Sequence, residues 1–179
     1  MGIINKEIYH TLENRAIPVE GPILCNKDNA WLGTAYYFWY DVNDAHIWGK
    51  ISYKNKSYEI YSAEIKSDKI LDTVFNEDDY NFWVSILEKV AIDVRKRTGK
   101  KPNVKNINSF IMKVLNSIDD NLIEAIMFQD LPFSRFSLIK GYNYKKRIQI
   151  AVYKKEIIIN FKLLNIFEYN YYDKLQKNI

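Results

Sequence analysis

Residues 33–50 read GTAYYFWYDVNDAHIWGK, and this stretch decides the fold. Aromatic side chains fill positions 36–40 without interruption, which favours the pleated surface of a buried strand. A short helical pattern follows and carries another aromatic residue, Trp48. Tyr37 and Trp48 therefore stand eleven residues apart on two successive elements. Such rings can complete a core, or they can hold a flat aromatic ligand between them.

Periodic patterns predict the other elements. Strands are expected at 7–10, 35–40, 56–65, 122–128, 147–152 and 156–161. One helix is expected to begin with Asp41 or Asn43 as its N-cap, and two more are expected at 82–94 and 107–118. The helix over 82–94 is expected to end near Gly99. Strands, then two long helices, then strands predict a single α+β domain over residues 1–179, with helices packed on mostly antiparallel sheets.

Composition narrows the class of protein. The 47% hydrophobic content predicts a folded chain, and the net charge of +4 allows an anionic partner without requiring one. A single cysteine, Cys25, excludes an internal disulfide, and with two histidines it disfavours a zinc site. The sequence has no apolar run close to the ~20 residues of a membrane span, and it has no signal peptide. We therefore expect a cytoplasmic protein without a membrane partner.

Two polar residues in predicted strands are candidates for chemistry. Gln149 alternates with Ile148 and Ile150, so it points away from their core, toward solvent or a cleft. His10 ends the first strand, where a neutral imidazole can form a hydrogen bond with a ribose hydroxyl or can simply cap a turn. His46 lies on the first helix and is expected to be exposed.

Three patches together resemble the ADP-ribosyltransferases of the diphtheria-toxin and poly(ADP-ribose) polymerase type, which share a His–Tyr–Glu arrangement. The first patch, IYHTLE (8–13), is similar to the family's Tyr-His-Gly-Thr motif. His10 is in register, while Thr11 stands in place of the glycine and Leu12 in place of the threonine.

The second patch, LGTAYYFW followed by DAHIW, resembles the family's Gly-x-Gly-Ile-Tyr-Phe segment and its continuation to a second aromatic residue. Tyr37, Phe38, Ala45 and Trp48 fall in register, with Ala35 in place of the second glycine.

The third patch, RIQIAV (147–152), resembles the late strand that carries the catalytic glutamate, with Gln149 at that position. WLGTAYYFW and AEIKSDKILD (63–72) are also similar to segments of a small bacterial toxin-like subgroup, in which Tyr40 would replace a glutamate.

The resemblance implies a fold of split antiparallel sheets around an NAD cleft, with NAD as co-substrate and no metal. It implies catalytic roles for His10, Tyr37 and Gln149, and cofactor contacts from His10, Thr11, Tyr37, Phe38, Ala45 and Trp48. Glutamine can accept a ribose hydroxyl bond but brings no charge, and this loss is expected to cost roughly 10²–10³ in rate.

Several functions stay open at this point. The chain is expected to be a mono-ADP-ribosyltransferase, slow or assisted by its substrate, or else Glu156 or Glu124 enters the site. A catalytically degenerate module that binds NAD or ADP-ribose is the alternative, and YNYKKR (142–147) allows a nucleic-acid-binding domain without NAD chemistry. By analogy with small free-standing bacterial members, we expect an intracellular toxin or anti-phage effector, with an RNA, DNA or protein acceptor and an antitoxin or other regulatory partner.

Overall fold

The computed structural model describes residues 4–15, 17–27, 30–103, 107, 123–130 and 146–169. Their elements are β1 (Ile4–Glu13), β2 (Tyr36–Trp39), α1 (Val42–Ser52), β3 (Tyr58–Ser67), β4 (Ile70–Asp72), α2 (Glu77–Thr98), β5 (Ala125–Asp130), β6 (Arg147–Val152), a 3₁₀ turn (Lys155–Ile157) and β7 (Ile158–Phe167). The predicted α+β class is confirmed. The predicted helix over 107–118 lies outside the described residues except for Ile107.

The strands form one seven-stranded mixed sheet in the order β4-β5-β6-β2-β1-β3-β7. This differs from the prediction of two separate antiparallel sheets. The short strand β4, which the sequence did not predict, pairs with β5 in parallel. The other pairs of this sheet are antiparallel.

The sheet is nearly divided between β2 and β1. Tyr9 opposite Trp39 is the one register pair that joins these strands, whereas β1 and β3 pair from Ile4 to Glu13. The half formed by β4, β5, β6 and β2 is therefore joined to the half formed by β1, β3 and β7 at a single ladder position.

Both faces of the sheet are covered along its inner strands, whereas the edge strand β7 stays partly exposed. Residues directly opposite each other on antiparallel strands share a face, so Tyr37, Trp39 and Gln149 define one face, hereafter the helix face. Trp83 of α2 packs there with Phe128, and Trp48 of α1 packs there with Trp39.

The opposite face, hereafter the loop face, carries the main aliphatic core. Ile148 and Ile150 are buried there with Phe38, which confirms the predicted orientation of β6. Residues 58–63 of β3 are all buried, because both faces of the sheet are covered there.

Capping positions both helices as predicted. The Asp41 side chain accepts the Asn43 N–H and caps α1, while α2 ends at Gly99 with φ +69°, in the left-handed region. Gly49 brings α1 close to β3, since a Cβ at this position would lie 2.4 Å from the Tyr58 ring. This close approach sets the helix that carries Trp48 directly on the sheet.

Candidate functional site

Tyr37 and Gln149 lie on adjacent strands of the helix face. The register places Tyr37 opposite Ala151 and Trp39 opposite Gln149, while Phe128 pairs with Gln149 from the other side. Gln149 is half-buried between these two aromatic residues rather than fully solvated. Tyr37 is half-buried as well, so both side chains keep accessible surface.

Trp48 approaches the same region from α1. Its ring centroid lies 5.7 Å from that of Trp39, with the planes tilted by 48°. Trp39 is 3% exposed, whereas Trp48 is half-buried. Trp48 therefore packs against Trp39, and Gln149 lies opposite Trp39 on the neighbouring strand. Tyr37 stands two residues earlier on β2, roughly 7 Å along the strand, and packs in a neighbouring cluster.

The Tyr37 hydroxyl is fixed by the turn that precedes β2. It accepts the Leu32 N–H at 3.1 Å and donates to the Gly33 carbonyl at 2.9 Å. Gly33 has φ +77°, which only glycine adopts easily and which explains the Leu-Gly-Thr sequence of this turn. Burial raises the pKa of Tyr37, so its phenol stays protonated and orients the ring.

His10 bridges the two halves of the sheet where their strands separate. Its Nδ1 donates to the Tyr37 carbonyl at 2.7 Å, and its Nε2 accepts the Ile23 N–H at 3.3 Å. The ring lies on the loop face, 5.2 Å from Phe38, and not on the face of the Tyr37 ring. Both nitrogens have backbone partners, so a ribose hydroxyl can reach Nε2 only by replacing Ile23 N–H.

Side chains of the loop face hold the segment that follows β1. Glu59 Oε1 accepts the Arg15 N–H at 3.2 Å, and the Tyr61 hydroxyl accepts the Val19 N–H at 3.1 Å. With His10 and Ile23, these bonds fix three backbone groups of the segment over β1 and β3. His10 is thus part of a larger structural network.

His10 is expected to make the fold sensitive to acid. Burial lowers its pKa from 6.5 to about 4, against the smaller opposing effect of the bond to Tyr37. A depressed pKa contributes stability above pH 6.5 that is lost as the pH falls to about 4, roughly 3 kcal/mol in all. His10→Gln should not show this loss. The measurement is the free energy of unfolding in urea for variant and parent, and the difference between the two proteins is compared at pH 7.5 and at pH 4.5. An unchanged difference at the two pH values would show that His10 is not buried and neutral.

Thr11, Phe38 and Ala45 support the site from beneath. Thr11 Oγ1 donates to the Ala45 carbonyl at 2.9 Å, which ties α1 to β1. Phe38 and Ala45 are 0% exposed, and Thr11 is buried. A cofactor could therefore contact these three residues, as predicted, only if the packing around them opened.

A group of charged residues beside Gln149 was missed. Arg147 is 5% exposed, forms an ion pair with Asp130, and places its guanidinium carbon 5.0 Å from the Trp39 ring centroid. Within YNYKKR, Arg147 is therefore a buried residue and not part of a basic surface. Its alternation with Gln149 on one strand face was the available signal.

Asp44 is the other residue that sequence reasoning missed. It lies in the first turn of α1, on the side of the helix that also carries Trp48 four residues later. Burial, with smaller effects of nearby charges, raises its pKa from 3.8 to about 6. A first-turn aspartate ordinarily serves the helix dipole, so the sequence carried no signal for this environment.

The carboxylates suggested earlier lie toward the other end of β6. Glu124 precedes β5 by one residue and accepts a 2.6 Å bond from Ser67 Oγ. It stands four residues from Phe128, the partner of Gln149, or roughly 13 Å along the strand. Glu156 is exposed in the 3₁₀ turn.

His46 is not the exposed residue that was expected. It is half-buried, lies 2.7 Å from the Tyr58 hydroxyl through Nδ1, and packs 4.4 Å from the Phe167 ring. Burial lowers its pKa, with a smaller effect of Lys50 in the same direction. His46 therefore fastens α1 to β3.

Comparison with known proteins identifies no family for the chain. No model of a known protein family matches the chain, and no curated protein sequence matches it. None of the helices in the described ranges is long and apolar enough to cross a bilayer. Over those same ranges, no three His, Cys, Asp or Glu side chains gather as a metal ion would require. The resemblance stated above therefore rests on its motifs.

Proposed function

We propose that the chain is an NAD-dependent mono-ADP-ribosyltransferase that transfers ADP-ribose to a nucleic-acid or protein acceptor. The observation that carries the proposal is the grouping of Tyr37, Trp48 and Gln149. Gln149 comes from a distant part of the sequence, yet it is half-buried together with Tyr37 and Trp48, around Trp39 or beside it on the helix face.

The chemistry of NAD fits residues of these types. Nicotinamide is flat, and Tyr37 and Trp48 offer aromatic faces for it. Its departure leaves positive charge on the ribose, and a site accelerates this step by stabilising that charge better than the ground state. The Gln149 amide can accept a bond from a ribose hydroxyl and hold the sugar beside the leaving group.

The near-division of the sheet supports the cleft that the proposal needs. Two connections cross this junction at the described positions: the ladder pair of Tyr9 with Trp39, and the hydrogen bond from His10 to the Tyr37 carbonyl. A ligand between the halves would either displace these connections or lie beside them. On this proposal, the junction widens around NAD and becomes the cleft of a split-sheet ADP-ribosyltransferase. A ribose hydroxyl then replaces the Ile23 N–H as the partner of the His10 Nε2 atom.

A module that binds NAD or ADP-ribose without turnover is the second candidate. Two observations favour it: Gln149 carries no charge, and both nitrogens of His10 have backbone partners. A binding module needs only the aromatic faces and hydrogen bonds of the site.

The biological role remains part of the proposal. Small free-standing bacterial members of the resembled family commonly act as toxins, and on this analogy the chain is an intracellular toxin or anti-phage effector with a cytoplasmic site of action. A regulatory partner such as an antitoxin would follow from that role.

Calorimetric titration with NAD tests the proposal. The parent should bind NAD, and Tyr37→Ala should weaken binding roughly tenfold to hundredfold, the value of one lost stacked aromatic face. Tyr36→Ala is the matched control, because Tyr36 is also half-buried but points to the loop face and should bind as the parent does. Thermal unfolding of each variant checks that the fold is kept.

A parent protein that gives no heat of binding and no thermal shift with NAD would count directly against both candidates. Equal weakening by the two tyrosine variants would show that the helix face is not the binding face.

A further inference from the structure

A carboxylate lies at the end of the helix face that holds Gln149. Asp44 belongs to the first turn of α1 and lies one turn before Trp48 on the same side of that helix. Trp48 packs against Trp39, with ring centroids 5.7 Å apart. Trp39, which ends β2 two residues before the N-cap Asp41, pairs with Gln149. The route of the chain from β2 into α1 therefore brings Asp44 to the same end of the helix face as Gln149.

Charged groups on each packed element face Asp44. Arg147 of β6 favours its ionised form, whereas Asp130 of β5 and Asp41 of the N-cap disfavour it. Arg147 forms an ion pair with Asp130, so its charge is shared between two carboxylates. Burial is the largest influence and also disfavours ionisation. The resulting carboxyl group changes charge near pH 6. A proton-transfer group is most effective when its pKa lies near the working pH.

We propose that Asp44 is a catalytic carboxylate that supplies, beside Gln149, the negative charge that the glutamine lacks. This inference rests on the proposed transferase function. Gln149 would hold the ribose, and Asp44 would stabilise the developing positive charge and accept the proton of the acceptor. The two tasks that one glutamate performs in the resembled family are thereby divided between two side chains.

The step balances without a further reactant. The bond between the ribose C1′ and the nicotinamide nitrogen breaks, and its electron pair goes to nicotinamide, which leaves as a neutral molecule. A lone pair of the acceptor oxygen or nitrogen forms the new bond to C1′. The acceptor proton passes to the Asp44 carboxylate and then to solvent, and no atom is oxidised or reduced. With water as acceptor the products are ADP-ribose, nicotinamide and a proton.

The test measures nicotinamide release from NAD by the full chain, together with NAD affinity, from pH 5 to pH 8.5. For the parent, release should rise through pH 6 and level off above it, because the ionised form of Asp44 is active. Asp44→Asn should lower release roughly 10²–10³-fold and abolish the rise, while NAD affinity stays within about threefold. Asp44→Glu keeps the charge and should retain part of the activity.

Asp78→Asn is the control, because Asp78 is an exposed aspartate in the first turn of α2 and should leave the rate and its pH profile unchanged. Asp44→Asn should fold, since asparagine has nearly the same size as aspartate and burial disfavours the charge that the variant removes.

Release by Asp44→Asn at the parental rate and with the parental pH profile would overturn the role of Asp44 and leave the proposed function standing. A parent that binds NAD but never releases nicotinamide would overturn the role of Asp44 in favour of a binding module. A parent that neither binds nor cleaves NAD would overturn the proposed function and this inference with it.

Discussion

Gln149→Ala is expected to lower nicotinamide release from NAD by roughly 10²–10³, because the ribose loses the group that holds it beside the leaving nicotinamide. The fold should remain intact, since Gln149 is half-buried and only a side-chain amide is removed. Gln129→Ala on the adjacent strand β5 is the matched control: Gln129 is exposed, and its replacement should leave the rate unchanged.

Gln149→Glu should raise hydrolysis of NAD, because a second carboxylate beside Asp44 stabilises the positive ribose and can activate water. Nicotinamide release at saturating NAD, with the products separated by chromatography, measures all three variants. If the parent and both Gln149 variants transfer ADP-ribose equally well, Gln149 lies outside the site. If none of them releases nicotinamide and Gln149→Ala binds NAD only modestly less tightly, the chain is a binding module.

The largest expected effect on stability concerns the buried ion pair under the site. Arg147→Met should lower the free energy of unfolding by about 3–5 kcal/mol, because it leaves the mostly buried Asp130 carboxylate without its partner. Arg97→Met is the matched control, since Arg97 and Asp93 form an exposed pair on α2 whose loss should cost no more than about 1 kcal/mol.

Denaturation in urea at pH 7.5 compares the two variants. The double variant Arg147→Met with Asp130→Leu should recover much of the loss, because no buried charge is left unpaired. A cost for Arg147→Met no larger than that for Arg97→Met would show that the β5–β6 end of the site is hydrated rather than buried.

Local chemistry allowed much of the fold to be predicted. The apolar alternation of 147–152 defines β6 with the observed bounds, and Asp41 and Gly99 act as the predicted caps. Periodicity could not show that both faces of the sheet are covered, since α1, α2 and the segment after β1 reach it from distant sequence. It also could not show the single pair between β1 and β2, because strand pairing depends on the whole sheet.

The candidate site was predicted less completely. The grouping of Tyr37 with Gln149 depends on the register of β2 against β6, which the sequence does not contain. His10 was predicted as a ligand contact, whereas it bonds the backbone on both sides at the near-division of the sheet. Asp44 and Arg147 looked like ordinary surface charges, because their burial depends on contacts between separate elements, such as those of Arg147 with Trp39 of β2 and Asp130 of β5.

The central claim is that the chain breaks the bond between nicotinamide and ribose in NAD and transfers the remainder. The most direct measurement incubates the full chain with NAD labelled in its adenylate phosphate and a total cell extract, and then digests the product separately with nuclease and protease. The account predicts nicotinamide release together with label on macromolecules, removed by one of the two digestions and strongly reduced for Gln149→Ala. Intact NAD, with neither free nicotinamide nor labelled macromolecules after prolonged incubation, would contradict it.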